Sequence, residues 1–164
     1  MRELAGLAAY RAERWPIART NLRAYFELTG DPEHLPLVMD CERASRKFTA
    51  LAKTFEDVLA SEPTAEVLAE ARIVYASALA DEAKFTEAIE LLQKAGAAKT
   101  LRNPSFRHVR LWYALADIYD RAGDAAMARE MFARVVEADP AVPDRIPEVI
   151  GQRAYIAPAL VHDH

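Results

Sequence analysis

Cys41 and His34 are the first residues to weigh as chemistry. In the stretch HLPLVMDCERAS the imidazole stands seven residues ahead of the thiol, placed to serve as its base. A working thiolate also needs a third group to orient that base and donors for an oxyanion, and no signature of either is visible. A lone cysteine on an amphipathic helix is ordinarily a small buried hydrophobe. His162-Asp163-His164 offers a chelating pair, but two histidines without further ligands hold a metal weakly. Trp15 and Trp112 have the surface to stack on a ligand, but both sit at positions where a bulky side chain fills a seam between helices, and core packing is expected of them. Between Lys94 and Arg110 the positives Lys94, Lys99, Arg102, Arg107 and Arg110 stand with His108 and no acid. Such a run suits docking of an acidic or phosphorylated segment. Aromatic interleaving is slight, so it is not read as a nucleic-acid surface. No catalytic residue, cofactor or metal set is expected from these groups.

Composition narrows the field further. The 164 residues suffice for one domain with a real core. A balance of 52% hydrophobic and 28% charged residues, with five glycines, fits a folded helical chain. The formal charge of −4 argues against a nucleic-acid partner. No apolar run approaches a membrane span, and MRELAGLAAY reads as helix rather than secretory signal. One cysteine permits neither an intramolecular disulfide nor a cysteine-based zinc site. The expectation is a soluble cytoplasmic protein without membrane insertion.

Any functional group must be positioned by helices. In RLWYALADIYDRAGD, residues 110–124, Trp112, Leu115, Ala116 and Tyr119 fall on one stripe of a 3.6-residue helix. Gly123 suits the left-handed end of that helix and Asp124 the cap of the next, so the stretch opens a helical hairpin. The slots filled after this turn by Ala125, Ala128 and Phe132 recur as Trp15-Ala18-Leu22, Phe48-Leu51-Phe55 and Phe85-Ala88-Leu92. Upstream stripes recur too, at Leu35/Val38/Met39 and Tyr75/Ala76/Leu79. Four hairpins are predicted, over about residues 1–31, 32–65, 66–102 and 103–142, with a capping segment or tail at 143–164. The anchors Ala18, Leu51, Ala88 and Ala128 lie 33, 37 and 40 residues apart. The first three turns (AERW, SRKF and DEAKF) lack glycine, so another residue is expected to take the turn conformation at modest cost. Pro36 predicts that the first helix of the second hairpin starts nearby and is short.

This pattern resembles the tetratricopeptide repeat (TPR) family. Over about residues 109–142, Trp112, Leu115, Tyr119, Gly123, Ala128, Phe132 and Pro140 match its signature, with Ala116 in place of the usual glycine. The resemblance covers roughly residues 1–142. It implies an all-α superhelix of four hairpins that binds a peptide or helix of a partner protein on its concave surface, without catalysis. The implied binding face is the unpacked side of each first helix. That side carries Asp40 and Arg43, then Glu70, Ile73, Ser77 and Asp81, then Arg110, Tyr113, Asp117 and Asp120. Its acids and few apolar groups suit a basic or amphipathic peptide. The Lys, Asn and Arg set with which one TPR subclass grips a C-terminal carboxylate is not matched. The alternative function is self-association, because Leu4, Leu7 and Ala8 leave the outer side of the first helix apolar and predict a homodimer or a missing neighbour. In the tail, a short turn around Pro147–Ile156 is expected to pack on Phe132 and Val136, with the chain beyond Pro158 extended.

Overall fold

A computed structural model of the chain describes residues 1–138. Among them eight α-helices follow one another and no strand occurs, so the expected all-α repeat fold is what forms. The helices are α1 (Arg2–Arg11), α2 (Trp15–Thr29), α3 (Leu35–Ala44), α4 (Phe48–Ala60), α5 (Ala65–Asp81), α6 (Phe85–Leu92), α7 (Phe106–Arg121) and α8 (Ala125–Ala138). A 3-10 turn at Pro32–His34 leads into α3, and a π turn at Gln93–Ala97 closes α6. The described chain forms two compact units, one of residues Met1–Tyr75 and one beginning at Ala76. In the first, α1 packs on α2, α2 on α3 and α3 on α4; in the second, α7 packs on α8 and on α6. The expected turn around Pro147–Ile156 lies outside the described residues.

Each hairpin closes in the same way. Glu13, Arg46, Ala83 and Gly123 hold φ of 60°, 57°, 60° and 86°, the left-handed region. The residue after each donates its amide back to a carbonyl five positions earlier: Arg14 to Ala9, Lys47 to Glu42, Lys84 to Leu79 and Asp124 to Tyr119, at 2.7–2.9 Å. A second bond runs inside the first, from Glu13 to Tyr10, Arg46 to Arg43, Ala83 to Ala80 and Gly123 to Asp120. The pair satisfies carbonyls that the helix end would otherwise leave bare. The expected non-glycine turn residues are therefore Glu13, Arg46 and Ala83. In the fourth turn the Asp124 carboxylate also accepts the Met127 amide at 3.2 Å and caps α8, as its type predicted.

The turn phases the core. Seven residues before each left-handed position stand Gly6, Met39, Ala76 and Ala116, and five after it stand Ala18, Leu51, Ala88 and Ala128. All eight are buried. The small members let the two arms of a hairpin approach. At Gly6 a Cβ would meet the Leu22 side chain at 2.6 Å, so α1 and α2 touch through that glycine. Pro36 lies in the first turn of α3, where its missing amide breaks no helical bond, and α3 runs for 10 residues.

The turn positions differ in what they cost. A side chain in the left-handed region is disfavoured by ~1–2 kcal/mol, against an entropic cost of glycine of ~0.5–1 kcal/mol. We expect Ala83→Gly to stabilise the chain by ~0.5–1 kcal/mol and Gly123→Ala to destabilise it by a similar amount. A Cβ at Gly123 would meet nothing within 4 Å, so its cost is conformational alone. Urea midpoints with unchanged slopes check both signs, and equal midpoints for all three chains would contradict the account.

Candidate functional site

The residues singled out on the first helices fall into recurrent slots. Six positions before the left-handed residue stand Asp40, Ser77 and Asp117, with relative exposures of 1%, 0% and 1%. Ten before it stand Ile73 and Tyr113, at 0% and 3%. Helices this thoroughly covered leave no open stripe: from Leu35 to Arg43 in α3, and from His108 to Tyr119 in α7, every residue is buried. The expectation that this side of the first helices stays unpacked is corrected here for Asp40, Arg43, Ile73, Ser77, Arg110, Tyr113 and Asp117. For Tyr113 the cause is direct, since its ring meets Phe132 of α8 edge-on at 5.5 Å. Glu70, Asp81 and Asp120 remain partly exposed.

In the first unit the site residues Asp40 and Arg43 lie at the end of α3. The Tyr10 hydroxyl donates to Asp40 at 2.6 Å, and Arg43 Nη1 stands 3.9 Å from the same carboxylate. Tyr10 was not among the residues read from the sequence, although it shares its turn position, three before the left-handed residue, with Arg43 and Asp120. Glu42, fully buried, is held by Arg19 Nε of α2 at 3.0 Å and by the Thr54 hydroxyl of α4 at 2.7 Å. Between these carboxylates Cys41 packs with Ala9 and Ala18. Burial first, then the Asp40 and Glu42 charges, push its thiol up to about 12. His34 Nε2 lies 2.8 Å from Glu3, so the imidazole is committed there, and Cys41 keeps its proton. The thiol is core, not nucleophile.

In the second unit Asp81 and Asp117 come together around Arg121, at 2.6 Å and 4.0 Å. Asp81 and Arg121 hold equivalent positions in successive hairpins, two before the left-handed residue. The basic run divides. Lys94, Lys99 and Arg102 are exposed, whereas His108 and Arg110 are buried. The Lys99 carbonyl accepts the Trp112 indole N–H at 3.1 Å and faces His108 Nε2 at 3.2 Å, which fixes the proton of a neutral His108 on Nε2. The two rings meet edge to face at 4.8 Å, so Trp112 is core, as its seam position predicted. A cleft of about 390 Å³ opens beside them, lined by Leu101, Arg102, Trp112 and Arg134 among others.

Residues 109–142, which include all of the hairpin turn at Gly123, match the tetratricopeptide repeat family. That segment is similar to one tetratricopeptide repeat. No curated protein matches the chain. TPR hairpins generally mediate protein–protein interaction, and the TPR family is generally non-catalytic. Among the described residues no helix is long and apolar enough to cross a membrane.

Two substitutions probe the buried charges of the first unit. Arg19→Ala removes the cation from a carboxylate that has no access to water, and should cost ~2–3 kcal/mol. The double variant with Glu42→Gln should recover part of that loss in a urea titration. Cys41 adds a pH term of definite sign. The folded thiol keeps a proton that the unfolded thiol, with its ordinary value of 9.0, releases. This contribution is whole below pH ~9 and is lost as pH rises toward ~12, by at most ~1.4 kcal/mol per unit. Comparing wild type with Cys41→Ala at pH ~8 and ~10.5 checks it; equal slopes in both chains would show that Cys41 is solvated.

Proposed function

We propose that the protein is a non-catalytic interaction module that binds a basic or amphipathic peptide of a partner protein through the first helices of its hairpins. The acids that stay partly exposed on these helices, Glu70, Asp81 and Asp120, carry this reading. The slot six before the turn holds a polar residue in three successive hairpins, Asp40, Ser77 and Asp117, although it is buried in each. Burying charge does not itself stabilise a fold, since desolvation offsets most of the Coulomb gain. A group buried to this degree is out of a peptide's reach, so recognition rests on the acids of the same helices that stay partly open. Asp81, Asp117 and Asp120 outnumber Arg110 and Arg121 along this side of the second unit, which favours positive charge in the peptide. The partly exposed Glu70, Asp81 and Asp120 are the groups a peptide would meet first.

The test is selection from a displayed peptide library, followed by fluorescence anisotropy on the selected sequence. We expect enrichment of basic peptides, and a loss of about tenfold in affinity for Asp120→Lys at low salt, shrinking as salt is raised. Its melting temperature should stay within the ~0.5 kcal/mol typical of a surface change. Selection of acidic peptides, or unchanged affinity, would overturn the reading.

Self-association is the second reading, and it rests on Leu4 of α1, which is 67% exposed beside the half-buried Leu7. Sedimentation at several concentrations, repeated on Leu4→Glu with Leu7→Glu, separates the two. A dimer that the double variant abolishes would favour it.

A further inference from the structure

The turn that joins the first two hairpins gathers three side chains that the peptide-binding reading leaves unused. Glu3 comes from α1, and Glu33 and His34 come from the 3-10 turn at Pro32–His34. His34 Nε2 lies 2.8 Å from Glu3 Oε2 and 4.0 Å from Glu33 Oε2, and all three donor atoms fall within 4.8 Å of one another. Around a tetrahedral ion with bonds of ~2.0–2.1 Å, donors stand ~3.3 Å apart. Small rotations of the two carboxylates would therefore close the set.

The three groups differ in a way that suits a metal. His34 is 7% exposed and its ring is braced by Tyr25 at a centroid distance of 5.4 Å, so the nitrogen is fixed in place. Its other nitrogen, Nδ1, is buried with no hydrogen bond, which leaves Nε2 as the atom presented to the carboxylates. The side chains of Glu3 and Glu33 are 37% and 59% exposed, free to adjust and open to an entering ion. Asp31 stands close by, its carboxylate 3.3 Å from the Tyr25 hydroxyl. Even a protonated imidazole leaves this group of three carboxylates net negative.

We propose that Glu3, Glu33 and His34 form a site for a divalent transition ion, with Zn²⁺ matched to one imidazole and two carboxylates and a fourth position left to water. The ion would tie α1 to the start of α3. Its effect is on the folded state, independent of whether the first helices bind peptide.

Thermal melts and isothermal titration of the full chain with ZnCl₂, against an EDTA control, test this. One ion should bind per chain, and ~100 μM Zn²⁺ should raise the melting temperature by about 5 °C. Glu33→Gln changes an exposed side chain, so it should fold as the wild type does while losing the shift and at least about tenfold in affinity. His34→Asn should lose the shift as well, and Glu33→Gln keeps the test decisive where His34→Asn lowers stability on its own. His162→Ala with His164→Ala should keep both shift and stoichiometry. The proposal is overturned by a wild type that Zn²⁺ does not stabilise, by a shift that survives Glu33→Gln, by one lost with the terminal histidines, or by an equal shift with Mg²⁺.

Discussion

Two nested backbone hydrogen bonds around one left-handed residue recur at Glu13, Arg46, Ala83 and Gly123, and the rest of the fold is phased from them. They end one helix, satisfy its last carbonyls and start the next helix within two residues. Because side chains repeat every 3.6 residues, fixing that junction fixes which residues of both arms face each other. The buried positions seven before and five after each turn follow directly. A shift of one residue at the turn would rotate the second arm by ~100° and expose its core stripe. Three of these turns bear the local cost of a side chain at positive φ, and packing of the two arms offsets it.

That phasing also explains why α3 and α7 carry charge inside the protein. Both are covered on all sides, so every polar residue they bear must be answered by a neighbour. Glu42 is answered by Arg19 and Thr54, and Asp40 by Tyr10. Asp117 faces Arg121, which also holds Asp81. The same residues that give these helices their polarity tie them to the helices on either side.

The hairpins were legible in the sequence because large and small apolar residues recur at helical spacing around Ala18, Leu51, Ala88 and Ala128. The fourth turn announced itself through Gly123-Asp124. Nothing in the types of Glu13, Arg46 or Ala83 selects a left-handed backbone; their positions follow only by counting back from the anchors. Tyr113 was misplaced for a different reason. A 3.6-residue stripe tells which side of a helix is most apolar, not whether the opposite side is also covered, and Tyr113 meets Phe132 on that other side. The pairing of Asp81 with Arg121 left a trace, since the two occupy one repeat position 40 residues apart. Glu3 and His34 left none. Their meeting depends on how α1 returns beside the turn before α3, which no spacing encodes.

The buried Glu42 has a bearing on how such an array can grow. Duplication of a hairpin is the simplest way to lengthen a repeat protein, and it succeeds when each seam accepts any neighbour. Here the seam ahead of α3 is keyed. Six residues after their turns, α2 offers Arg19, whereas α4 offers Ala52 and α6 offers Ile89. A copied second hairpin placed behind either of those would bring its carboxylate against a methyl or a butyl group, with no cation to receive it. The order of these hairpins is thus written into one ion pair: the second fits behind the first, and behind neither itself nor the third.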